Sequence, residues 1–371
     1  MKVLITGKNG FIAKNLKLFL KERSDIEIYT FSKKNKISEL TDLVNKVDFV
    51  FHLAGINRPE NVKEFTLGNE SLTQKLCEVI RKTKRKIPIL YASSIQANLD
   101  NHYGISKKNT ENILFNFSKD CEIQVYIFRL PNVFGKWCKP NYNSVVATFC
   151  YNIIRDIPIN IINSDDLVDL VYIDDVIKNF IKVMDNSKKK NGIKDFHAVN
   201  PVYQITVGDL AKQLFAFKKI RETSKLDRVG TGLIRALYST YVSYLPKQQF
   251  SYPIKGHNDP RGNFIEILKT PDCGQFSCFT ILPNYTRGNH YHHSKTEKFL
   301  VIKGNALFKF FHLDTSDVYE IKVNSDKPVI VESIPGWAHN IKNIGTKEMV
   351  VLLWSNEIFD HSNPDTFVNK I

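Results

Sequence analysis

The sequence predicts an α/β doubly wound parallel sheet over residues 1–245, followed by an all-β sandwich or barrel over residues 246–371. In the first part, short apolar runs alternate with helical patterns, which is typical of strand–helix–strand units. In the second part, apolar and polar residues alternate over short runs separated by turns, which indicates antiparallel strands. A chain of 371 residues is long enough for two domains with separate cores.

Composition and charge exclude several classes of protein. Glycine and proline, at 17 and 14 residues, are not in excess, so no long disordered region is expected. No apolar run approaches a membrane span and the first residues form a strand, so we expect a cytoplasmic chain without membrane contact. The net charge of +14 would suit nucleic acid, but its positive runs are short and lack interleaved aromatic residues. We therefore expect no nucleic-acid partner, and a di-anionic nucleotide substrate would benefit from the same charge.

The cysteines are expected to be reduced. None of them forms a Cys-x-x-Cys pair, and we expect the first residues to be a strand and not a signal peptide. They are Cys77, Cys121, Cys138, Cys150, Cys273 and Cys278.

The first predicted strand, from Lys2 to Thr6, leads into a glycine-rich turn and then into a helical pattern. Gly7 permits the tight turn, and Gly10 lets backbone N–H groups approach a pyrophosphate at the helix N-terminus. An ordinary strand–helix loop is the alternative. The predicted dinucleotide contacts in this turn are Gly7, Lys8, Gly10, Phe11 and Ile12.

The end of the second predicted strand, Ile26 to Phe31, indicates which dinucleotide binds. Enzymes that use NAD carry an acid here for the ribose 2′-hydroxyl. This chain instead continues Ser32-Lys33-Lys34, which offers no carboxylate to repel a 2′-phosphate and two cations to receive one. The sequence therefore predicts NADPH, with Ser32 and Lys33 among its contacts.

Three further apolar runs predict the next strands, Val47–Leu53, Ile87–Ala92 and Val125–Phe128. Open α/β sheets bind ligands at the carboxyl ends of their strands, so residues that follow these runs are candidates for the site. Ser94 follows the second of these runs. Leu53 and Ala54, at the end of the first run, and Arg129, after the third, are the expected cofactor contacts.

Tyr103 and Lys107 are four residues apart, so on a helix they would lie on one face. A neighbouring cation favours the phenolate and makes the tyrosine a better proton donor or acceptor near neutral pH. Reduction of a carbonyl by hydride needs such a group at the carbonyl oxygen. The spacing recurs at Tyr29–Lys33 and Tyr291–Lys295, so spacing alone does not select the pair.

The second part carries a candidate metal site. His290 and His292 are two residues apart and would share one face of a strand. With Glu297 and His339 they form a nitrogen and oxygen set suited to zinc or another divalent transition metal. The alternative is a group of unrelated surface histidines.

The motifs of the first part, in this order, resemble the extended short-chain dehydrogenase/reductase family. The resemblance implies a Rossmann fold that acts on nucleotide-linked sugars. It implies that Tyr103 is the general acid, that Lys107 lowers its pKa and binds the ribose, and that Ser94 hydrogen-bonds the carbonyl. The motifs are Thr6-Gly7-x-x-Gly10-Phe11-Ile12, His52-Leu53-Ala54-Gly55, Ser93-Ser94, Tyr103-x-x-x-Lys107, Arg129-x-x-Asn132-x-x-Gly135 and Tyr172-Ile173-Asp174-Asp175.

The histidine segments of the second part resemble both motifs of the cupins, which implies a jelly roll. Two positions depart from the pattern, because Asn284 stands where a glycine is usual and Pro335 is shifted by one. Residues 259–266 and 287–291 further resemble deoxysugar-nucleotide 3,5-epimerases, in which the histidine is a base without metal. The two resemblances give His290 different roles, a metal ligand in the cupins and a base in the epimerases. The additional His292 and Glu297 favour the role of metal ligand.

The whole chain resembles capsular polysaccharide enzymes of the CapF/WbjC type. The resemblance implies a bifunctional C3-epimerase and C4-ketoreductase acting on UDP-2-acetamido-2,6-dideoxy-β-L-arabino-hexos-4-ulose, on the pathway to UDP-N-acetyl-L-fucosamine for capsule or O-antigen. It implies that the cupin inverts C3 before the first part reduces C4, and we expect a homodimer. The stretches that carry it are His52–Glu60, Gly135–Val145, Ser239–Tyr241 and Gly288–His290.

The C3 inversion is chemically reasonable because the hydrogen on C3 is α to the ketone and therefore acidic. The sequence leaves its base open among His290, His293 and Lys295. Two other classes of function remain: a monofunctional ketoreductase with a non-catalytic sugar-binding cupin, and a cupin that only dimerises the enzyme.

Overall fold

The structure is a computed structural model of the chain, and it forms two compact units. One comprises residues 1–133 and 168–204, and the other residues 134–167 and 205–371. The structure describes all residues except 58, 60, 62, 188–195, 255, 260, 261, 266, 269, 271–273, 358 and 361, and only the backbone of residues 63, 66, 256–259 and 262–265.

The first unit contains a six-stranded parallel sheet with the strand order β2-β1-β3-β4-β5-β8. The chain leaves β1 for β2 on one side and returns to β3 on the other, so the strand order reverses between β1 and β3. This confirms the predicted doubly wound α/β fold. A further three-stranded sheet has the order β6-β7-β9. The strands are β1 Lys2–Thr6, β2 Glu27–Phe31, β3 Phe49–His52, β4 Ile89–Ser94, β5 Val125–Leu130, β6 Asn132–Phe134, β7 Leu167–Tyr172, β8 Phe196–His197 and β9 Tyr203–Thr206.

Helices on both faces of this sheet account for its apolar strands. Val3, Leu4 and Ile5 of β1 are all fully buried, as expected where both faces of a parallel sheet are covered. The helices of the first unit are α1 Phe11–Lys21, α2 Ile37–Lys46, α3 Lys63–Phe65, α4 Leu72–Thr83, α5 His102–Cys121 and α7 Ile173–Asn186, with shorter turns at Thr66–Ser71 and Ile95–Asn98. Those of the second unit are α6 Val145–Ile154, α8 Val207–Thr223 and α9 Gly232–Ser243, with a shorter turn at Lys247–Gln249.

The second unit contains two five-stranded antiparallel sheets, which confirms the predicted all-β jelly roll. Their orders are β10-β18-β15-β20-β13 and β17-β16-β19-β14-β21, and β11 pairs with β12. Alternation places one face of each strand inward, as where Ala306, Phe308 and Phe310 of β16 are buried. The strands are β10 Ser251–Pro253, β11 Gly256–Asp259, β12 Gly262–Ile265, β13 Gln275–Ile281, β14 Thr286–Tyr291, β15 Glu297–Lys303, β16 Asn305–His312, β17 Val318–Asn324, β18 Val329–Glu332, β19 Trp337–Asn343, β20 Met349–Ser355 and β21 Phe367–Val368.

A buried ionic cluster joins α8 to the β-sandwich inside the second unit. Glu332 of β18 accepts from Lys298 of β15 and, at 2.5 Å, from the guanidinium of Arg221 at the end of α8. Burial opposes ionisation of Glu332, but these two cations hold its pKa below the ordinary value. The predicted boundary between residues 245 and 246 stays a proposal, since α8 and the sandwich share this cluster.

Two sequence predictions concern chain-wide properties. Five of the six cysteines are described, and all five are free thiols, whereas Cys273 lies outside the described residues. Throughout the described part of the chain, every helix is too short or too polar to cross a bilayer.

We expect Glu332→Gln to destabilise the second unit. The variant leaves the buried Lys298 and Arg221 cations without their carboxylate, and breaking a buried ion pair from one side costs roughly 3–5 kcal/mol. Urea unfolding followed by tryptophan fluorescence measures the loss. Asp317→Asn, in the exposed Lys247–Asp317 pair, is the control and should unfold like the wild type. Equal unfolding of both variants would refute the role of the buried cluster.

Candidate active site and metal centre

The glycine-rich turn after β1 has the backbone geometry that a dinucleotide site requires. Gly7 has a φ of +72°, and a Cβ there would lie 2.7 Å from the Cα of Ala54. Its N–H donates to the carbonyl of Phe31 over 2.9 Å, which joins the turn to the end of β2. Gly10 precedes α1, and no side chain caps the N-terminus of that helix. The first amides of α1 can therefore receive an anion.

A hydrogen-bonded chain through buried His52 fixes the loop that faces this turn. Thr73 donates its hydroxyl to the carbonyl of Asn69 over 2.6 Å, so it accepts the Nε2–H of His52 at 2.8 Å. The Nδ1 of His52 then accepts from the hydroxyl of Thr6 at 2.9 Å, and that oxygen accepts the N–H of Ala54 at 3.1 Å. Burial, reinforced by the Lys107 charge, lowers the pKa of His52 to about 3. The ring stays neutral and holds one tautomer.

The residues after β2 expose cations where a 2′-phosphate is expected. The backbone and hydroxyl of Ser32 both donate to the side-chain oxygen of Asn35, at 3.0 and 3.1 Å, while Lys33 and Lys34 are exposed. The nearby carboxylate of Glu39 is engaged in capping α2, where it accepts the backbone N–H of Lys36 at 2.6 Å.

Tyr103 and Lys107 lie in the first turns of α5, which begins after Asn101 caps it by accepting the N–H of Gly104 at 2.8 Å. Lys107 is only 4 % exposed and donates to the carbonyl of Ala92 on β4 over 2.9 Å. Its Nζ lies 5.8 Å from the centre of the Tyr103 ring. Burial lowers the pKa of Lys107 to about 8, although Glu111 opposes the shift. The helix thus brings phenol and ammonium together as the spacing predicts.

The structure also separates this pair from the two other Tyr-x-x-x-Lys matches. Tyr29 lies on β2 and donates to Glu27 at 2.5 Å, and Tyr291 lies on β14. The lysine of each of these matches lies beyond the end of its strand, so neither pair shares a helical face. Among the three matches, the helical one is Tyr103–Lys107.

Ser94 ends β4 and accepts the N–H of Gln96 at 3.2 Å, which caps the short turn that follows. Ser94 therefore has a capping role in the fold. The hydroxyl oxygen acts as the acceptor there, so its hydrogen remains able to bond a substrate oxygen.

Arg129, predicted as a cofactor contact, pairs with a buried acid. Its guanidinium donates to both carboxylate oxygens of Glu111, at 3.0 and 2.6 Å, and to Asn98 at 2.7 Å. Glu111 is 1 % exposed and also accepts from Ser93. These bonds give Arg129 a structural role, and a contact with the cofactor stays a prediction. Glu111 follows Lys107 by four residues on α5, so this helical spacing could have indicated a buried acid near the predicted site.

Sequence reasoning missed Asn69, which links the loop after β3 to the first turns of α5. Its side-chain oxygen accepts the N–H of Ile56 at 2.8 Å, and its amide donates to the hydroxyl of Ser106 at 3.0 Å. Ser106 in turn donates to the carbonyl of Tyr103 at 2.8 Å. A single asparagine in a helical turn belongs to no spacing pattern, so the sequence did not indicate this linking role.

In the second unit, the four predicted metal ligands converge from both sheets of the sandwich. His290 of β14 pairs directly with His339 of β19, and Glu297 begins β15 of the opposite sheet. The candidate ligand atoms of these three residues and His292 all lie within 4.8 Å of one another. One Glu297 oxygen is 3.0 Å from the Nε2 of His292 and 3.1 Å from the Nε2 of His339.

The protonation of this cluster fits a cation at its centre. The Nδ1 of His292 lies 2.6 Å from the carbonyl of Asp365, which can only accept, so Nδ1 carries the hydrogen. The Nε2 of the same ring faces the Glu297 carboxylate. Burial lowers the pKa of His290 to about 3 and also lowers that of His339. Imidazoles and a carboxylate that face one another are a donor set suited to a divalent metal, with an oriented outer contact at His292.

The other candidate bases for C3 are buried. Lys295 donates to the carbonyl of Pro364 at 2.8 Å and to the hydroxyl of Thr366 at 2.6 Å. His293 is 4 % exposed and packs against Phe367, whereas His290 is half-buried. None of these contacts identifies the base.

The departures from the cupin pattern do not distort the turns. Asn284, in the place of a glycine, has a φ of +67°, which asparagine tolerates better than most residues. Gly336 has a φ of +91°. The side chains of residues 259–266, and residues 58 and 60 of the His52–Glu60 stretch, lie outside the described residues.

Comparisons with known protein families give one match in the α/β part of the chain and one in the β part. The model of the NAD dependent epimerase/dehydratase family matches residues 3–198. The model of the polysaccharide biosynthesis C-terminal domain matches residues 257–367.

Two of the similar proteins match the whole length of the chain. The UDP-2-acetamido-2,6-beta-L-arabino-hexul-4-ose reductase of Pseudomonas aeruginosa is 57% identical over 371 residues, which cover 100% of this chain and 99% of the relative. The crystal structure of the capsular polysaccharide assembling protein CapF from Staphylococcus aureus is similar at 39% identity, with a TM-score of 0.67 and full coverage of both chains. A UDP-glucuronic acid 4-epimerase from Bacillus cereus, in complex with NAD, is 21% identical, has a TM-score of 0.53 and covers 59% of this chain and 84% of its own. This last likeness shows the fold alone.

We expect Gly7→Ala to destabilise the first unit. An alanine at positive φ costs about 1–2 kcal/mol, and its methyl group would also overlap the backbone of Ala54. Gly10→Ala is the matched control, since Gly10 has a φ of −69° and a Cβ there would meet the Gly7 oxygen at 3.2 Å. Thermal unfolding without cofactor should show a lower midpoint for Gly7→Ala alone. Equal midpoints for the two variants would contradict the requirement for glycine at position 7.

Proposed function

Because this chain belongs to the NAD-dependent epimerase/dehydratase family, we propose that residues 1–245 reduce the C4 ketone of UDP-2-acetamido-2,6-dideoxy-β-L-arabino-hexos-4-ulose with NADPH. The chain is an oxidoreductase, and the substrate is inferred from the Pseudomonas aeruginosa reductase, which it resembles over its whole length. The observation that carries the proposal is the buried Lys107 ammonium held beside Tyr103 on one face of α5.

The residues of this chain account for the proton side of the reduction. NADPH, when bound, supplies the hydride. The Tyr103 hydroxyl donates its proton to the C4 oxygen as negative charge develops there, and the Lys107 cation stabilises the phenolate that remains. The Ser94 hydroxyl can donate to the same oxygen and orient it.

The proposed preference for NADPH rests on charge. The exposed Lys33 and Lys34 follow Ser32 at the end of β2, and the Gly7 N–H joins that end to the glycine-rich turn. Two cations without an acid in the usual ribose position favour a 2′-phosphate. Gly7, Lys8, Gly10, Phe11, Ile12, Leu53 and Ala54 are the proposed contacts with the rest of the dinucleotide.

We further propose that residues 246–371 invert C3 of the same sugar before reduction. The supporting observation is the buried cluster of His290, His292, Glu297 and His339, whose nitrogen and oxygen atoms suit zinc. A divalent cation, when bound, would act as a Lewis acid toward the C4 carbonyl and so increase the acidity of the C3 hydrogen. His290 serves as a ligand in this scheme, which leaves the base to another group.

We also propose that the chain is cytoplasmic and forms a homodimer. Five free thiols among the described residues suit a reducing compartment such as the cytoplasm. A homodimer stays a prediction, and sedimentation of the purified chain as a monomer would contradict it.

We expect Tyr103→Phe to lower the rate of ketone reduction by roughly 10²–10⁴-fold, the usual contribution of general acid catalysis. NADPH binding should stay close to wild type, because the ring and Lys107 remain. Tyr29→Phe is the matched control and should keep full activity, since the Tyr29 hydroxyl bonds Glu27 on the edge strand β2. Steady-state reduction of the 4-keto sugar decides, and a Tyr103→Phe rate within a few-fold of wild type would remove Tyr103 from the reaction.

We expect a higher kcat/KM with NADPH than with NADH, and a loss of that preference in the double variant Lys33→Ala, Lys34→Ala. The reason is that the 2′-phosphate is the charge these lysines would meet. Lys46→Ala, at the end of α2, is a control for the loss of a surface cation. Equal kcat/KM for both cofactors in the wild type would refute the preference.

We expect the wild type and Tyr103→Phe to exchange the C3 hydrogen of the 4-keto sugar with D₂O when NADPH is withheld, because the inversion needs no hydride. His290→Ala should abolish the exchange while leaving NADPH binding intact. NMR of the sugar measures the exchange directly. Absence of exchange in the wild type would favour the alternative, a monofunctional ketoreductase with a non-catalytic cupin. Exchange lost in Tyr103→Phe but kept in His290→Ala would reverse the assignment of the two reactions.

A further inference from the structure

The turn between the first two histidine ligands and Glu297 is held by one carboxylate from the C-terminal segment. One oxygen of Asp365 accepts the backbone N–H of His293 at 2.9 Å. The other accepts the N–H of Ser294 at 3.0 Å and that of Lys295 at 2.8 Å. Three successive amides thus converge on a single side chain, which fixes the path of the chain from His292 to Glu297.

The backbone of the same residue orients a metal ligand. The carbonyl of Asp365 accepts the Nδ1–H of His292 at 2.6 Å, which selects the tautomer whose Nε2 faces the other ligands. The buried Nδ1 of His339, by contrast, meets no hydrogen-bond partner among the described residues. Among the described residues of the cluster, His292 is thus oriented by a hydrogen bond from its Nδ1 to the carbonyl of Asp365, a residue outside the cluster.

Further contacts keep Asp365 in register with the cluster. Lys295 is 4 % exposed and its ammonium binds the residues on either side, Pro364 and Thr366. Strand β21 follows at once and pairs Val368 with His290. Asp365 itself has a φ of +36°, a conformation that aspartate tolerates better than most residues.

We propose that Asp365 is a positioning residue for the metal ligand His292, so that the C-terminal segment of residues 364–368 sets the affinity of the cluster for zinc. The inference rests on the metal site of the proposed function and adds a residue distant in sequence from the ligands. Asparagine cannot replace the carboxylate here, because one of its two terminal atoms is an N–H₂ donor that would face backbone N–H groups.

The test compares zinc binding by the full-length wild type, Asp365→Asn and Asp360→Asn, measured by competition with a chromophoric chelator. Asp360 lies five residues before Asp365, is exposed, and accepts the backbone N–H of Ser362 at 2.8 Å, so its variant is the matched control. We expect Asp365→Asn to bind zinc about 10–100-fold more weakly, the usual effect of losing an outer contact of a ligand. Asp360→Asn should bind like the wild type, and NADPH binding should be unchanged in both.

Two further measurements separate positioning from general instability. The visible spectrum of the Co²⁺-substituted protein should differ between Asp365→Asn and wild type, because it reports ligand geometry. If Asp365→Asn does not fold, Lys295→Met keeps the carboxylate but releases Pro364 and Thr366, and it should also weaken zinc binding several-fold. Wild-type zinc affinity and an unchanged Co²⁺ spectrum in these variants would overturn the proposal alone. A wild type that binds no zinc would overturn it together with the proposed metal site.

Discussion

Buried charges must be met by polar partners, and this constraint organises both candidate sites. An ion removed from water without a partner costs several kcal/mol, so each buried charge selects its surroundings. The Lys107 ammonium meets the carbonyl of Ala92, and the Glu111 carboxylate meets the guanidinium of Arg129. In the β-sandwich, Glu297 faces the imidazoles of His292 and His339. Each candidate site therefore lies at a buried charged group that the fold supplies with polar partners.

In the first unit, this constraint acts through a parallel sheet whose strand order reverses between β1 and β3. The ends of β1, β3 and β4 therefore lie at one edge, with the glycine-rich turn, the Ala54 loop and the Lys107 partner Ala92 following them. Neutral His52 fastens the turn to the loop, and Asn69 fastens the loop to α5. Together these bonds hold Tyr103 in place without touching its hydroxyl.

In the second unit, the two sheets supply the candidate ligands, and a segment distant in sequence orients one of them, His292. Pairing between β14 and β19 sets His290 against His339, while β15 brings Glu297 from the opposite sheet. The carboxylate and carbonyl of Asp365 then act on the turn and on His292. A site assembled from several strands needs such outer contacts, because each ligand alone keeps rotational freedom.

Features that depend on local spacing could be predicted from the amino-acid sequence. The strand–helix rhythm predicted the α/β sheet, alternation predicted the sandwich, Gly7 indicated a tight turn, and His290 with His292 indicated one face of a strand. Groups with equal spacing, or with none, were distinguished by the tertiary structure. It placed Tyr103–Lys107 on a helix and the tyrosines of the other two matches on strands, paired Arg129 with Glu111, and brought Asn69 and Asp365 to the sites. The reason is physical, since periodicity fixes which side chains share a face, whereas the partner of a buried polar group comes from a segment far along the chain.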